Sequence, residues 1–320
     1  MNGAPSSTWF SADPHWGWLI VLYFFLGGLA GGCYFLATLT DLFGRREDRP
    51  LARLGYYIAF PCVVLSGILL TADLGRPLRF WHMMIESNTY RPMFKPWSPM
   101  SIGVWALLIF GLFSFLSFLG ALAEEDPSPH EPRAGRGATW WRALRTVGAR
   151  SPAWRRLRAP SGIGRVISIV GALVGFYVAG YTGVLLAVTN RPIWSDTPLL
   201  GMLFVVSAAS TSAALIMLLA HRSGWTVPGL ANLHRMEDWV IGLELLVLVA
   251  VMVSLGPVLR AWLNVWGVLL VIVIILGMVA PLVLSWRARR SGAWNMTPAA
   301  LVLVSGFLLR AIIVFSAESV

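Results

Sequence analysis

Apolar residues in this chain run in long unbroken stretches separated by shorter polar segments, unlike the 3.6-residue or two-residue alternation of a half-buried helix or strand. Stretches of roughly 18 or more apolar residues are long enough to cross the hydrocarbon core of a bilayer as helices. Eight such spans occur, at about 16–40, 51–72, 99–123, 163–188, 197–220, 236–256, 263–285 and 298–316. The pattern predicts an all-α integral membrane protein of eight transmembrane helices, with 1–320 forming a single membrane domain. The first span lacks the basic flank of a signal peptide and seven more follow it, so it is expected to stay in the mature protein. The polar stretch 124–162 divides the spans into three and five, which leaves room for two four-helix bundles.

Composition agrees with the bilayer as solvent: 57% of residues are hydrophobic and 12% charged, against about a quarter charged in a soluble domain. A formal charge of +10 raises the question of an anionic partner, and placement answers it. With the N-terminus outside, the inner loops carry Arg45, Arg46, Arg49 and Arg53, then nine arginines from Arg133 to Arg165, then Arg222 and Arg235, then Arg287, Arg289 and Arg290, in all 18 of the 25 basic residues. The outer segments hold Arg76, Arg79, Arg91, Lys95, Arg191 and Arg260, and Arg310 falls inside the last span. The positive-inside rule then directs both termini outward, to the periplasmic side of a bacterial inner (cytoplasmic) membrane, and nucleic acid is not needed as a partner. The segment 124–162, with Pro127, Pro129, Pro132, Pro152 and Pro160, reads as a mobile cytoplasmic Arg/Pro-rich loop that sets topology and meets lipid headgroups.

Candidate chemistry is sparse. Cys33 and Cys62 lie within the first two spans, without the spacing that an iron–sulfur cluster or zinc site needs, so no metal site is expected here and any cluster belongs to a partner. A two-histidine haem needs imidazoles at the middle of bundle helices. His15, His82, His130, His221 and His234 all read as loop or span-end residues, and no haem is expected. If electrons pass through the protein, a diffusible lipid-soluble carrier brings them.

The richest polar stretch runs from Asp73 through Arg76, Arg79 and Trp81 to His82 after the second span. Its acid, arginines, imidazole and aromatic faces are a set able to orient a quinone headgroup and exchange its protons. The plainer alternative is a solvated loop with an interfacial aromatic belt. His15, Trp16 and Trp18 open the first span at the same side. The fourth span ends there with Tyr177 and Tyr181, the latter roughly 12 Å below the outer end at 1.5 Å per residue, either bonded within the bundle or donating to a quinone carbonyl.

Charges inside spans are costly and usually functional. Glu244 in the sixth span and Arg310 in the eighth are expected within roughly 6 Å of one depth, where they can pair. Glu237 and Glu244 are seven residues apart and share a helix face. One reading is a structural ion pair that pins two helices; the other is a proton path from the cytoplasm through Glu237 and Glu244 past Arg310. Gly27–Gly32 holds overlapping G-x-x-x-G patterns, a close-packing signal for the first span.

These motifs together resemble the NrfD/PsrC family, the membrane subunits of polysulfide, nitrite, tetrathionate and related reductases. The resemblance rests on Trp16-Gly17-Trp18 leading to Phe24-Phe25-Leu26-Gly27-Gly28-Leu29-Ala30-Gly31-Gly32, on Asp73-Leu74-Gly75-Arg76-Pro77 with Arg79-Phe80-Trp81-His82, on Ser98-Pro99-Met100-Ser101-Ile102-Gly103, on Tyr181-Thr182-Gly183-Val184-Leu185-Leu186, on Glu244 and on Leu309-Arg310. It implies a haem-free subunit that binds menaquinone or ubiquinone near its outer face, at residues that include His15 and Tyr181. It also implies a ferredoxin-like partner with 4Fe-4S clusters docked on that face, and a molybdopterin catalytic subunit beyond it. Two other readings stay open: an ion-translocating or transporter subunit without quinone chemistry, and a purely structural anchor.

Overall fold

In the computed structural model the described residues are 16–124, 152–224, 227–291 and 296–318. They are mostly helical, with a single isolated antiparallel bridge between Ile85 and Pro92 and eight helices long and apolar enough to cross a membrane. These are α1 (Trp18–Phe43), α2 (Arg49–Asp73), α3 (Pro99–Leu122), α4 (Gly162–Ala187), α5 (Leu200–Arg222) and α6 (Pro228–Leu255). The seventh, α7, is α-helical over Val265–Ile274, takes a π turn over Ile275–Val279 and resumes over Ala280–Ser291. The last is α8 (Thr297–Glu318).

Helix starts follow local chemistry. Ser98 and Ser161 accept from the backbone N–H groups of Ser101 and Gly164 at 3.4 and 2.9 Å, satisfying donors that a helix leaves open at its N-terminus. Proline near the first position opens α2, α3 and α6, where its missing N–H costs nothing. This start carries α6 eight residues below the expected 236, through polar turns that hydropathy does not score. His234, read as a loop or span-end residue, therefore lies on the second turn of α6.

Helix α1 is the hub, packed against α2, α4, α5 and α8; α3 closes on α2 and α4, α6 on α5, and α7 on α8. The glycines of α1 make this possible. A Cβ on Gly31 would lie 2.2 Å from the carbonyl oxygen of Gly175 on α4, and one on Gly32 would lie 2.3 Å from Ser212 Oγ on α5. Only glycine lets helix backbones approach so closely in lipid. Leu246, Val253, Val268 and Val271 are exposed, as a lipid-facing rim requires. The π turn of α7 lies where Gly277 faces α8: a Cβ there would sit 1.9 Å from Ser305 Cβ.

Eight successive crossings start α1 and finish α8 at the same end, opposite the arginine-rich segments. At the basic end, residues 125–151 of the expected loop lie outside the described residues. The remainder packs down through a short helical turn, Pro152–Arg155, and through Arg158. Arg158 is 4% exposed. It donates to both carboxylate oxygens of Asp41, at 2.8 and 2.7 Å, and to Glu124. Arg49 and Arg53 approach the same Glu124 carboxylate at 3.3 and 3.5 Å. Burial works against the Arg158 charge, but the hydrogen bonds and charge of Asp41, joined by Glu124, outweigh it and raise the guanidinium pKa. Asp48 adds a link to α6 by accepting from the Gly229 N–H at 2.5 Å.

Candidate functional site

Tyr23, Tyr177 and Tyr181 lie in the half of the bundle away from the basic end. Tyr177 and Tyr181 are one turn apart on α4, with ring centroids 5.8 Å apart and planes at 29°. Tyr177 is 43% exposed, whereas Tyr181 is buried and donates its hydroxyl to the carbonyl oxygen of Pro99 at 2.8 Å. The ring of Tyr181 occupies the space beside Gly103 on α3, where a Cβ would lie 2.1 Å from its Cζ atom. Tyr23 on α1 is buried nearby, its ring 3.7 Å from the position of a Cβ on Gly27. Neither Gly103 nor Tyr23 stands out by residue type in the sequence, though Gly103 closes one of its motifs.

The other expected residues fall as follows. Asp73 is exposed at the last turn of α2. Arg76 caps a 3-10 turn, Pro77–Met83, that carries His82, whose ring lies 3.8 Å from that of Trp81. Asp73 at the end of α2 and Arg76 and His82 in the loop that follows therefore lie at the same end as Tyr177 and Tyr181. Trp18 turns to α8, packing against Phe315 and Phe307 with centroids 4.6 and 6.3 Å away. His15 lies outside the described residues.

A second group is buried at mid-depth. Glu244 and Arg310 are the 17th residue of α6 and the 14th of α8, and both are almost wholly buried. They do not touch. Ser210 of α5 donates to Glu244 Oε2 at 2.7 Å. Ser207, one turn away and beside the same carboxylate, accepts from Arg310 Nη1 at 3.1 Å. Arg310 also donates to the carbonyls of Gly306 and Phe204 at 2.7 and 3.4 Å, and its Nε has no acceptor. The rings of Phe204 and Phe25 flank its guanidinium at 5.3 and 5.8 Å. On α1, a Cβ at Gly28 would come within 3.0 Å of Arg310 Nη2. The serines of α5 were the residues that sequence reasoning missed, because small hydroxyls inside a span read as packing.

Towards the basic end of the same helix face, Glu237 is 2% exposed and its Oε1 has no hydrogen-bond partner. It lines a cavity shared with His221 and His234.

An eight-span helical domain that holds a carboxylate and a guanidinium at mid-depth is a polytopic membrane protein organised around charge inside the bilayer. The family described as polysulphide reductase, NrfD, matches residues 10–320, and the chain belongs to that family. Among its relatives, a component of the polysulfide reductase of Wolinella succinogenes is 26% identical over 95% of this chain and 94% of its own length. The protein NrfD of Escherichia coli K12 is 27% identical over 95% of both sequences. A component of the selenate reductase of Mesobacillus selenatarsenatis is 26% identical over 73% of this chain, which spans 55% of that longer relative.

Proposed function

We propose that this chain is the quinone-reactive membrane subunit of a multisubunit oxidoreductase. Two relatives are named as single components of reductases, which supports a catalytic centre on another subunit, here a molybdopterin protein reached through a 4Fe-4S partner. The bacterial sources of two relatives support a bacterial inner membrane, and the positive-inside rule supports the basic end in the cytoplasm and both termini in the periplasm. The periplasmic loop then offers the iron–sulfur partner exposed apolar side chains, Leu78, Tyr90 and Trp97, among the cations Arg76, Arg79, Arg91 and Lys95.

The observation that carries the quinone reading is the stacked pair Tyr177 and Tyr181 beside the N-terminus of α3, at the end where Asp73 closes α2 and Arg76 and His82 follow in the next loop. The residues fit menaquinol or ubiquinol chemistry. With its O–H donating to the Pro99 carbonyl, the Tyr181 oxygen has lone pairs left to accept from a quinol hydroxyl, whereas donating to a quinone carbonyl requires the hydroxyl to leave Pro99. On this reading Asp73 and His82, titratable groups at the same end, exchange the protons that accompany quinol oxidation. Glu244 and Arg310 supply a buried relay for protons, with Glu237 on the basic side.

The test is to titrate a menaquinol analogue into the full chain purified with its co-purifying partners. Saturable binding is expected, weakened about tenfold in Tyr181→Phe, the equivalent of one lost hydrogen bond of about 1.4 kcal/mol. A well-folded, partner-bound sample that shows no saturable binding overturns the reading.

A further inference from the structure

At the basic end, α5, α6, α7 and α8 enclose a cavity lined by Met217, His221, His234, Glu237, Ser285 and Pro298. We propose that this cavity is a proton-loading site, in which the imidazoles form the mouth and Glu237 holds the proton before it moves along α6 towards Glu244. The direction of travel rests on the topology proposed above, whereas the loading step requires neither quinone nor partner.

Three observations converge. The Nδ1 of His221 lies 2.9 Å from the carbonyl oxygen of Met217. A carbonyl only accepts, so Nδ1 carries the hydrogen and Nε2 of the neutral ring is left to take up a proton. The His234 ring packs edge-on against it, with centroids 5.3 Å apart at 70°, so two imidazoles guard one opening. Beneath them is the Glu237 carboxyl, whose Oε1 is buried and receives no donor. A proton or a water settles on that oxygen without breaking an existing bond, and without either the oxygen is an uncompensated polar atom.

The step balances simply. An imidazolium formed at His221 Nε2 releases its proton to the Glu237 carboxylate; the ring returns to neutral, the carboxylate becomes a carboxylic acid and no electron moves. The groups that bear on Glu237 are His221 from α5, and His234 and Asp238 from α6 itself. From α7 and α8 the described lining residues, Ser285 and Pro298 among them, include no titratable side chain. Seven residues of helix separate Glu237 from Glu244, roughly 10 Å of rise, so onward transfer runs through ordered water to the carboxylate that Ser210 holds.

Infrared titration of the full-length chain in lipid nanodiscs reads the C=O stretch of protonated carboxyl groups directly. The wild-type protein is expected to show a component that titrates with pH and shifts promptly on transfer to D2O. That component should vanish in Glu237→Gln, and in His221→Asn its isotope exchange should slow by about tenfold or more. Retention of that same rapidly exchanging component, unchanged, in Glu237→Gln overturns the proposal, as does exchange in His221→Asn that is as fast as wild type. The second readout decides the matter even if the Glu237 variant fails to fold. Because no quinone is present, a protein that binds quinol but fails here loses only the proton site, and a protein that passes here without binding quinol loses only the quinone site.

Discussion

At the basic end Arg158 meets Asp41 directly and Glu124 beside it, whereas at mid-depth Arg310 and Glu244 face each other across the hydroxyls of Ser207 and Ser210. Both arginines are buried, but only the first has its charge compensated by touching anions. A direct two-pronged contact has one good geometry and resists rearrangement. A hydroxyl-bridged pair can exchange a proton on the carboxyl while the bridging hydroxyls turn to suit either state. The contrast separates a clamp, which ties the chain after 151 to the ends of α1 and α3, from a looser pair, the one proposed above as a relay for protons.

The largest effect should come from breaking the clamp. Arg158→Ala strands Asp41 without its partner and should destabilise the protein by about 3–5 kcal/mol, seen as a lower unfolding midpoint of the purified chain in detergent. The raised guanidinium pKa means that its contribution is complete below the ordinary arginine range and fades only as pH climbs through the raised value, so mild alkali should leave it intact. Double-mutant cycles sharpen the comparison further. Asp41 and Arg158 should couple by about 2–3 kcal/mol and Glu244 and Arg310 by under about 1 kcal/mol; equal couplings would erase the distinction between clamp and relay. Among the single substitutions the smaller effect is expected at the bridge itself. Ser210→Ala removes the donor to Glu244 and should cost about 1 kcal/mol, with Ser210→Thr recovering most of it in the same unfolding assay.

The eight crossings were legible because a bilayer demands length and apolarity, and both are written along the chain. Other features depend on contacts between distant residues. Helix α6 begins at Pro228 because its first turns can be polar where they leave hydrocarbon, so Asn232, His234 and Arg235 disguised the start. Glu244 and Arg310 were recognisable as a buried acid and base at similar depth, but the serines between them belong to α5 and carry no signal of their own. Arg158 looked like one member of a charge run until Asp41, more than a hundred residues earlier, met it. The aromatic and polar residues near the far end were identifiable by type, while the fit of Tyr181 against Gly103 and Pro99 needed α3 and α4 side by side.

The glycine-lined α1 also has a consequence for how this protein is made. The most N-terminal of the eight spans is the one whose final neighbours include α4, α5 and α8. Helices leave the translocation machinery in chain order, so α1 must wait in lipid while much of the chain is still being synthesised. Only α2 and α3 are at hand to shelter it before α4 emerges. Its bare glycine faces, safe once Gly31 and Gly32 seat against α4 and α5, are during that interval the surface most open to a wrong partner.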